Sequence, residues 1–295
     1  MNQNYFKGVL LILAAGLCYA FQPIFARLAY ADGANAIALM LLRFLLAACI
    51  LHLFVFRRRK RQPDKTATRI FPVLATGLLV GSGAMCYFTA LEQLSIGLVT
   101  LLFYLFPLYI FIFSVILRLE AMSLLKLSAV LLAVSGVYIS VDINSELPLG
   151  GLILGILAGV LYGTYIMLNN HFLARQDTLT SLTWITSGAF ICFTIPALAG
   201  QAEFPDSLQG YSAVLGLVIV STLMSLALFL TGTRLIARAT DTSVLAMAEI
   251  GTTMLLAWLL LNEQVSNREL LGAGVIFIAV IIILAAGRKP AREAI

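Results

Sequence analysis

Apolar runs long enough to cross a bilayer recur along this chain, and they constrain its fold more than any other feature. A hydrocarbon core about 30 Å thick needs roughly 20 apolar residues per helix. Ten runs of that kind can be read, at 8–28, 35–56, 70–91, 98–117, 124–141, 150–170, 179–199, 212–233, 243–261 and 269–286. They are too long and too uniformly apolar for barrel strands, which alternate in polarity over about ten residues. Composition agrees: 61% of residues are hydrophobic and 11% charged, against about half and a quarter in a soluble domain. The expected fold is an all-α membrane protein with ten transmembrane helices. The first run continues through Phe21, Pro23 and Ile24 without a small-residue cleavage site, so it reads as a retained helix, not a signal peptide.

Basic residues orient the chain. With the N-terminus inside, 16 of the 19 Lys and Arg fall in inner segments: Lys7, the seven between 57 and 69, Arg118, Lys126, Arg175, Arg234, Arg238 and three in the 288–295 tail. Arg27 and Arg268 fall at the outer face, and Arg43 lies within a helix. Positive charge gathers on the cytoplasmic side of membrane proteins, so both termini are expected to be cytoplasmic in a bacterial inner membrane. The run "RRRKRQPDK" (57–65) follows directly on a membrane helix. It reads as a topology signal against anionic lipid headgroups, and no nucleic-acid partner is expected.

The chain is written twice. Shifted by 143 residues, the five runs of the first half fall on the five of the second, and "GVLLILAAGLCYA" (8–20) overlays "GLILGILAGVLYG" (151–163). Gly8, Gly16, Tyr19, Ser82 and Glu120 meet Gly151, Gly159, Tyr162, Ser225 and Glu263. Five spans per half is an odd number, so the second half enters the membrane in the opposite sense. Such inverted repeats are typical of secondary transporters. The expected organisation is a first repeat over 1–143, a second over 150–287 and a cytoplasmic tail over 288–295.

Several segments carry a resemblance. They are "YAFQPIFARLAY" (19–30), "LLRFLLAA" (41–48), "FTALEQLSIGLVTLLFYLFPLYIF" (88–111), "GGLILGILAGVLYGTY" (150–165) and "ATDTSVLAMAEIGTTMLLAWLLLNE" (239–263). On these the chain resembles the EamA-like transporters of the drug/metabolite transporter superfamily over essentially its whole length. Phe106-Pro107 and Glu120 fit the half-repeat pattern, as do Glu249 and Glu263. Ile250 stands where the family often has proline, and Tyr19 and Tyr162 where tryptophan is common. The resemblance implies ten helices and the export or exchange of small metabolites. Amino-acid-like compounds are the first guess. A passive channel for polar solutes and a non-transporting scaffold remain alternatives.

Candidate site residues are the polar groups these runs retain. Glu249 sits within an apolar run, where a charge costs about 2.5–3.5 kcal/mol or more. It reads as a substrate-amine contact or proton-coupling acid, or else as a structural anchor. Arg43 is the one basic residue well inside a run. At 1.5 Å rise per residue the two lie within roughly 10 Å in depth, so Arg43 could pair with Glu249 or bind a substrate carboxylate. In "FYLFPLYIF" (103–111), Pro107 deprives the carbonyl of residue 103 of its helical donor. A break is expected there, with Tyr104 as a lining residue. Tyr19, Tyr162, Gln22, Tyr87, Asn169 and Asn170 complete the candidates. Gly8, Gly16, Gly151, Gly155 and Gly159 suggest close packing of the first and sixth helices. Glu120 and Glu263 are expected to cap the helices that follow them.

No metal or cofactor is expected. Cys18, Cys49, Cys86 and Cys192 all lie in apolar runs without a CxxC, and His52 and His171 have no metal spacing. Neither a P-loop nor an intramembrane-protease motif occurs. The expected partners are a small-molecule substrate, membrane lipid and, as the candidate coupling ion, protons.

Overall fold

The computed structural model describes residues 3–61, 70–117, 124–140, 148–172, 178–235 and 248–286. These form twelve helices: α1 (Gln3–Ala31), α2 (Ala36–Arg61), α3 (Ile70–Gln93), α4 (Ile96–Phe103), α5 (Phe106–Ile116), α6 (Leu124–Ser140), α7 (Leu149–Phe172), α8 (Thr178–Pro196), α9 (Leu208–Val218), α10 (Ser225–Leu235), α11 (Ala248–Leu261) and α12 (Asn267–Ala286). Seven described segments are long and apolar enough to cross a membrane, and the stretches 127–136 and 249–261 are shorter apolar helices.

Two of the crossing segments are interrupted within their length, and a third, Leu179–Gln201, ends in a π-type turn over Ala197–Gln201. α4 and α5 are separated by a turn at Tyr104 and Leu105, with Pro107 just inside α5, where its missing N–H costs nothing. The expected break is therefore present. α9 and α10 are joined through a wide π-type turn, Ile219–Met224. Nothing in the amino-acid pattern announces it.

Large side chains point outward and small ones inward. Leu10, Phe54, Leu131, Ile153, Leu198 and Trp258 are exposed, while Ala15, Ala26, Ala47, Ala90, Ala158 and Ala189 are buried. Lipid tails are as apolar as leucine, so membrane helices gain by close backbone approach, which small residues permit. α3 meets α8 in this way: a Cβ on Gly77 would lie 2.5 Å from the Ile185 carbonyl oxygen and 2.9 Å from the Gly188 Cα.

The expectation that the first and sixth helices pack closely on each other is corrected. α1 packs on α9, α10 and α11, whereas α7 packs on α3, α4 and α5. The Gly8 carbonyl faces Gly232, Gly16 lies against Glu249, and Gly151, Gly155 and Gly159 lie against Leu94, Leu102 and Phe103. Each glycine row is used, but on a different partner. The pairings exchange with the halves: α3 on α7 answers α10 on α1, and α4–α5 on α7 answers α11 on α1.

Polar groups lock one end of the bundle. Ser207 donates to Asp32 through its N–H (2.9 Å) and hydroxyl (2.7 Å). The Asn35 N–H donates to the Glu203 carbonyl at 3.1 Å, and Glu92 caps α2 by accepting from the Ala36 N–H at 2.6 Å. Arg27 donates to the Leu94 carbonyl. Glu269 accepts from the Ser95 hydroxyl (2.7 Å) and from the Ser266 N–H (2.9 Å), the second being half of a capping box on α12. Glu263 accepts from the Ile96 N–H at 2.8 Å. It therefore caps α4, far away in sequence, and not the helix that follows it, because α4 opens beside the turn that Glu263 occupies. Glu120 lies outside the described residues.

Candidate functional site in the centre of the bundle

Seven of the expected site residues meet in one place. Arg43 from α2 is buried. Its Nε donates to the Thr222 hydroxyl at 3.0 Å and its NH2 to the Gln22 side-chain oxygen at 2.9 Å, while NH1 rests on the Met40 sulfur at 3.9 Å. The guanidinium also lies 5.5 Å from the Phe44 ring centre and 5.6 Å from that of Phe88, within cation–π range. A guanidinium has five N–H donors. Two reach oxygen here, so three lack an oxygen acceptor among the described residues.

Glu249 lies near the start of the described part of α11 and is half-buried. Gly16 lets α1 cross it closely: a Cβ there would sit 3.8 Å from the Glu249 nitrogen. The Tyr104 hydroxyl is directed at the Glu249 carboxylate. Tyr104 can point this way because it occupies the turn between α4 and α5, off the helical register. The expected pairing of Arg43 with Glu249 is not formed. Among the described residues, Arg43 bonds to neutral groups alone. Tyr19 and Tyr87 stand within electrostatic reach of both charges, and the oxygen partners that Arg43 has are Thr222 and Gln22.

Tyr162, from α7, joins the aromatic rings of α4 and α5. Its ring centre lies 4.9 Å from Phe103 and 5.1 Å from Phe106, and Phe103 lies 5.3 Å from Tyr87. Such tilted and edge-to-face contacts hold the rings rigid. The Tyr19 hydroxyl faces Ser225. The side chain of Asn169, like that of Asn170, lies outside the described residues.

Three groups escaped the sequence reading. Tyr165 adjoins Tyr162 at 5.9 Å between ring centres. Its signal was present, since it sits three residues on from Tyr162 and matches Gln22 across the repeat. Ser225 had one too, its match with Ser82 across the repeat; Thr222 had none, because the turn that places it has no sequence mark.

Chemically, the cluster offers one cation, one carboxylate, several hydroxyls and an aromatic wall. Among the described residues no group of His, Cys, Asp and Glu could hold a metal. Cys18 and Cys86 are buried and Cys192 half-buried, while Cys49 is exposed.

The EamA-like transporter family model matches residues 6–141 and again 149–285. The chain belongs to the EamA-like transporter family. As an EamA-like protein it is a multi-pass membrane protein of a transporter family. It is 26% identical to "Uncharacterized transporter YcbK" of Bacillus subtilis, over 92% of this chain and 91% of that one. It is also 26% identical to "Uncharacterized inner membrane transporter YicL" of Salmonella typhimurium, over 98% of each. A solved crystal structure shares the fold with a TM-score of 0.66 at 15% identity, over 93% of this chain and 97% of that one.

Proposed function

We propose that this protein is a secondary transporter that moves a small zwitterionic, amino-acid-like metabolite across the cytoplasmic membrane by alternating access. One observation carries the reading. A buried arginine bonded only to neutral groups among the described residues and a carboxylate share Tyr19 and Tyr87 as electrostatic neighbours. A ligand with both charges would complete both groups at once. Its carboxylate would take the open end of the Arg43 guanidinium, which suits a planar two-oxygen acceptor. Its ammonium would sit between Glu249 and the tyrosine rings, drawn by the carboxylate and by the aromatic faces.

The architecture fits that use. If α4 with α5 and α9 with α10 each make one span, the twelve helices make ten spans in two five-span halves. The basic segments favour a cytoplasmic side for both termini. Arg43 belongs to the first half and Glu249 to the second, so the ligand would bridge the two elements that must move. Broken spans at such a site are where carriers bind substrate. Export or exchange follows from the same cycle, and Glu249 is the group through which a proton gradient would act.

Purified protein in proteoliposomes, with L-leucine as probe, tests the reading. Saturable flux that speeds up when leucine is present on the far side is the expected result. Flux that rises linearly without such stimulation would make the protein a passive channel, and no flux would leave a scaffold. Reporters fused after Arg61 and after Glu203 should read cytoplasmic and external. An external signal at Arg61 would overturn the orientation and the inverted repeat with it.

A further inference from the structure

The π-type turn between α9 and α10 carries two hydroxyls, Ser221 and Thr222; that of Ser221 is buried without a partner among the described residues, and that of Thr222 is bonded. In a regular helix a threonine hydroxyl bonds to the carbonyl four residues back. Thr164, Thr183, Thr186, Thr194 and Thr231 all do so, at 2.7–3.0 Å. Thr222 instead donates to the Leu217 carbonyl five residues back, at 2.9 Å. The wide turn displaces it by one residue, and π-type turns recur at functional sites.

A hydroxyl has one proton and two lone pairs. With its proton committed to Leu217, Thr222 can only accept, and it accepts from Arg43 Nε at 3.0 Å. Gln22 accepts from NH2 at 2.9 Å. Two acceptors on neighbouring nitrogens set the rotation of the planar guanidinium, and NH1, which has the Met40 sulfur at 3.9 Å, has no oxygen acceptor among the described residues. The repeat supplies a control. The position matching Thr222 is Leu79, in the uninterrupted α3, and the position matching Arg43 is Thr186. The wide turn and the arginine occur together in one arrangement and are both missing from its mirror.

We infer that Thr222, presented by the wide turn, is the positioning residue that aims Arg43 at the carboxylate of the transported ligand. This rests on the reading of Arg43 as a carboxylate site. Thr222 touches no ligand atom itself; it acts through Arg43.

The test compares L-leucine with L-leucinamide, which keeps the amine and lacks the carboxylate. Apparent KM is measured for both in proteoliposomes holding the parent, Thr222→Val, Thr222→Ser or Arg43→Ala. Thr222→Val keeps the shape of the side chain and removes the acceptor; Thr222→Ser keeps the acceptor. The expected result is that Val raises KM for leucine about tenfold and leaves leucinamide within twofold, with Ser near the parent. Arg43→Ala should shift leucine at least as far. An equal rise for both ligands in Thr222→Val would show a merely structural residue and overturn the inference. So would no rise while Arg43→Ala still shifts leucine alone, and in that case the carboxylate site would stand. If Arg43→Ala leaves the leucine-to-leucinamide ratio unchanged, or if the parent transports neither ligand, the carboxylate site itself falls and the role of Thr222 falls with it.

Discussion

In the first half of the chain the second helix carries Arg43, and the second segment of the broken span begins with Phe106. At the matching positions of the second half stand Thr186 and Glu249. The helices around these positions correspond, and their contacts exchange with the halves. The chemistry does not correspond. Thr186 spends its hydroxyl on the Leu182 and Thr183 carbonyls of its own helix, at 3.0 and 2.9 Å. Phe106 packs its ring on Tyr162. Each half therefore contributes one charge of one sign to a site that lies between the halves. On the proposed reading, the repeated backbone would serve both halves of a transport cycle, and the unrepeated side chains would read two unlike ends of a ligand.

Moving the arginine to its mirror position challenges that account most severely. In Arg43→Thr with Thr186→Arg the charge is kept, but Gln22 and Thr222 are replaced as neighbours by their matches Tyr165 and Leu79. Breaking a buried charge from its partners costs about 2–5 kcal/mol, so leucine flux per folded molecule should fall on the order of 100-fold or more. Near-parental flux would mean that the halves are chemically interchangeable.

Removing the other charge has a somewhat smaller expected effect. Glu249→Gln keeps the shape and a hydrogen bond to Tyr104 but cannot ionise. A hydrogen bond to a charged group contributes about 1.5–3 kcal/mol, which corresponds to roughly tenfold to hundredfold in flux. Normal insertion with lost flux is expected, measured with and without a pH gradient. Near-parental flux in both conditions would leave Glu249 as part of the scaffold.

Packing between halves can be tested without touching either charge. Gly77→Ala would push a methyl into the Ile185 carbonyl of α8, 2.5 Å from its ideal Cβ position. Overpacking of this kind costs about 1–3 kcal/mol. Tm in detergent should drop by several degrees, while flux per remaining folded molecule stays near that of the parent. An unchanged Tm would show that α3 and α8 are not held at this distance.

The smallest effect belongs to the loops. The Ser207 hydroxyl and N–H hold the Asp32 carboxylate below its ordinary value of 3.8. A lowered carboxylate adds stability above the ordinary value and loses it as pH falls through the lowered one. The parent should therefore lose a small increment of Tm as pH falls below about 4. Asp32→Asn should lack that increment at neutral pH and show no such slope. Identical pH profiles for the two proteins would remove Asp32 from the lock.

The charges and the first break were legible in the sequence for a physical reason. A carboxylate or guanidinium in an apolar run is costly enough to stand out, and a proline inside a helix removes a hydrogen bond wherever it stands. Glu249, Arg43 and Tyr104 could be singled out on those grounds. What each of them touches was not legible. Glycine rows announce close approach without naming the partner, which is why α1 and α7 were matched to each other and are packed elsewhere. Thr222 was hidden because hydroxyls in helices ordinarily bond back to their own helix, and only the wide turn sets it apart.

The central claim is that the two halves recognise the two ends of one ligand. A cycle of three ligands against two substitutions tests it directly: L-leucine, L-leucinamide and 4-methylpentanoate, each competed for transport by the parent, Arg43→Ala and Glu249→Gln. Arg43→Ala should weaken leucine and 4-methylpentanoate by tenfold or more and leave leucinamide nearly unchanged. Glu249→Gln should weaken leucine and leucinamide and spare 4-methylpentanoate. If either substitution weakens all three ligands alike, or if Arg43→Ala spares both carboxylates, the charges do not divide the ligand between the halves and the account is wrong.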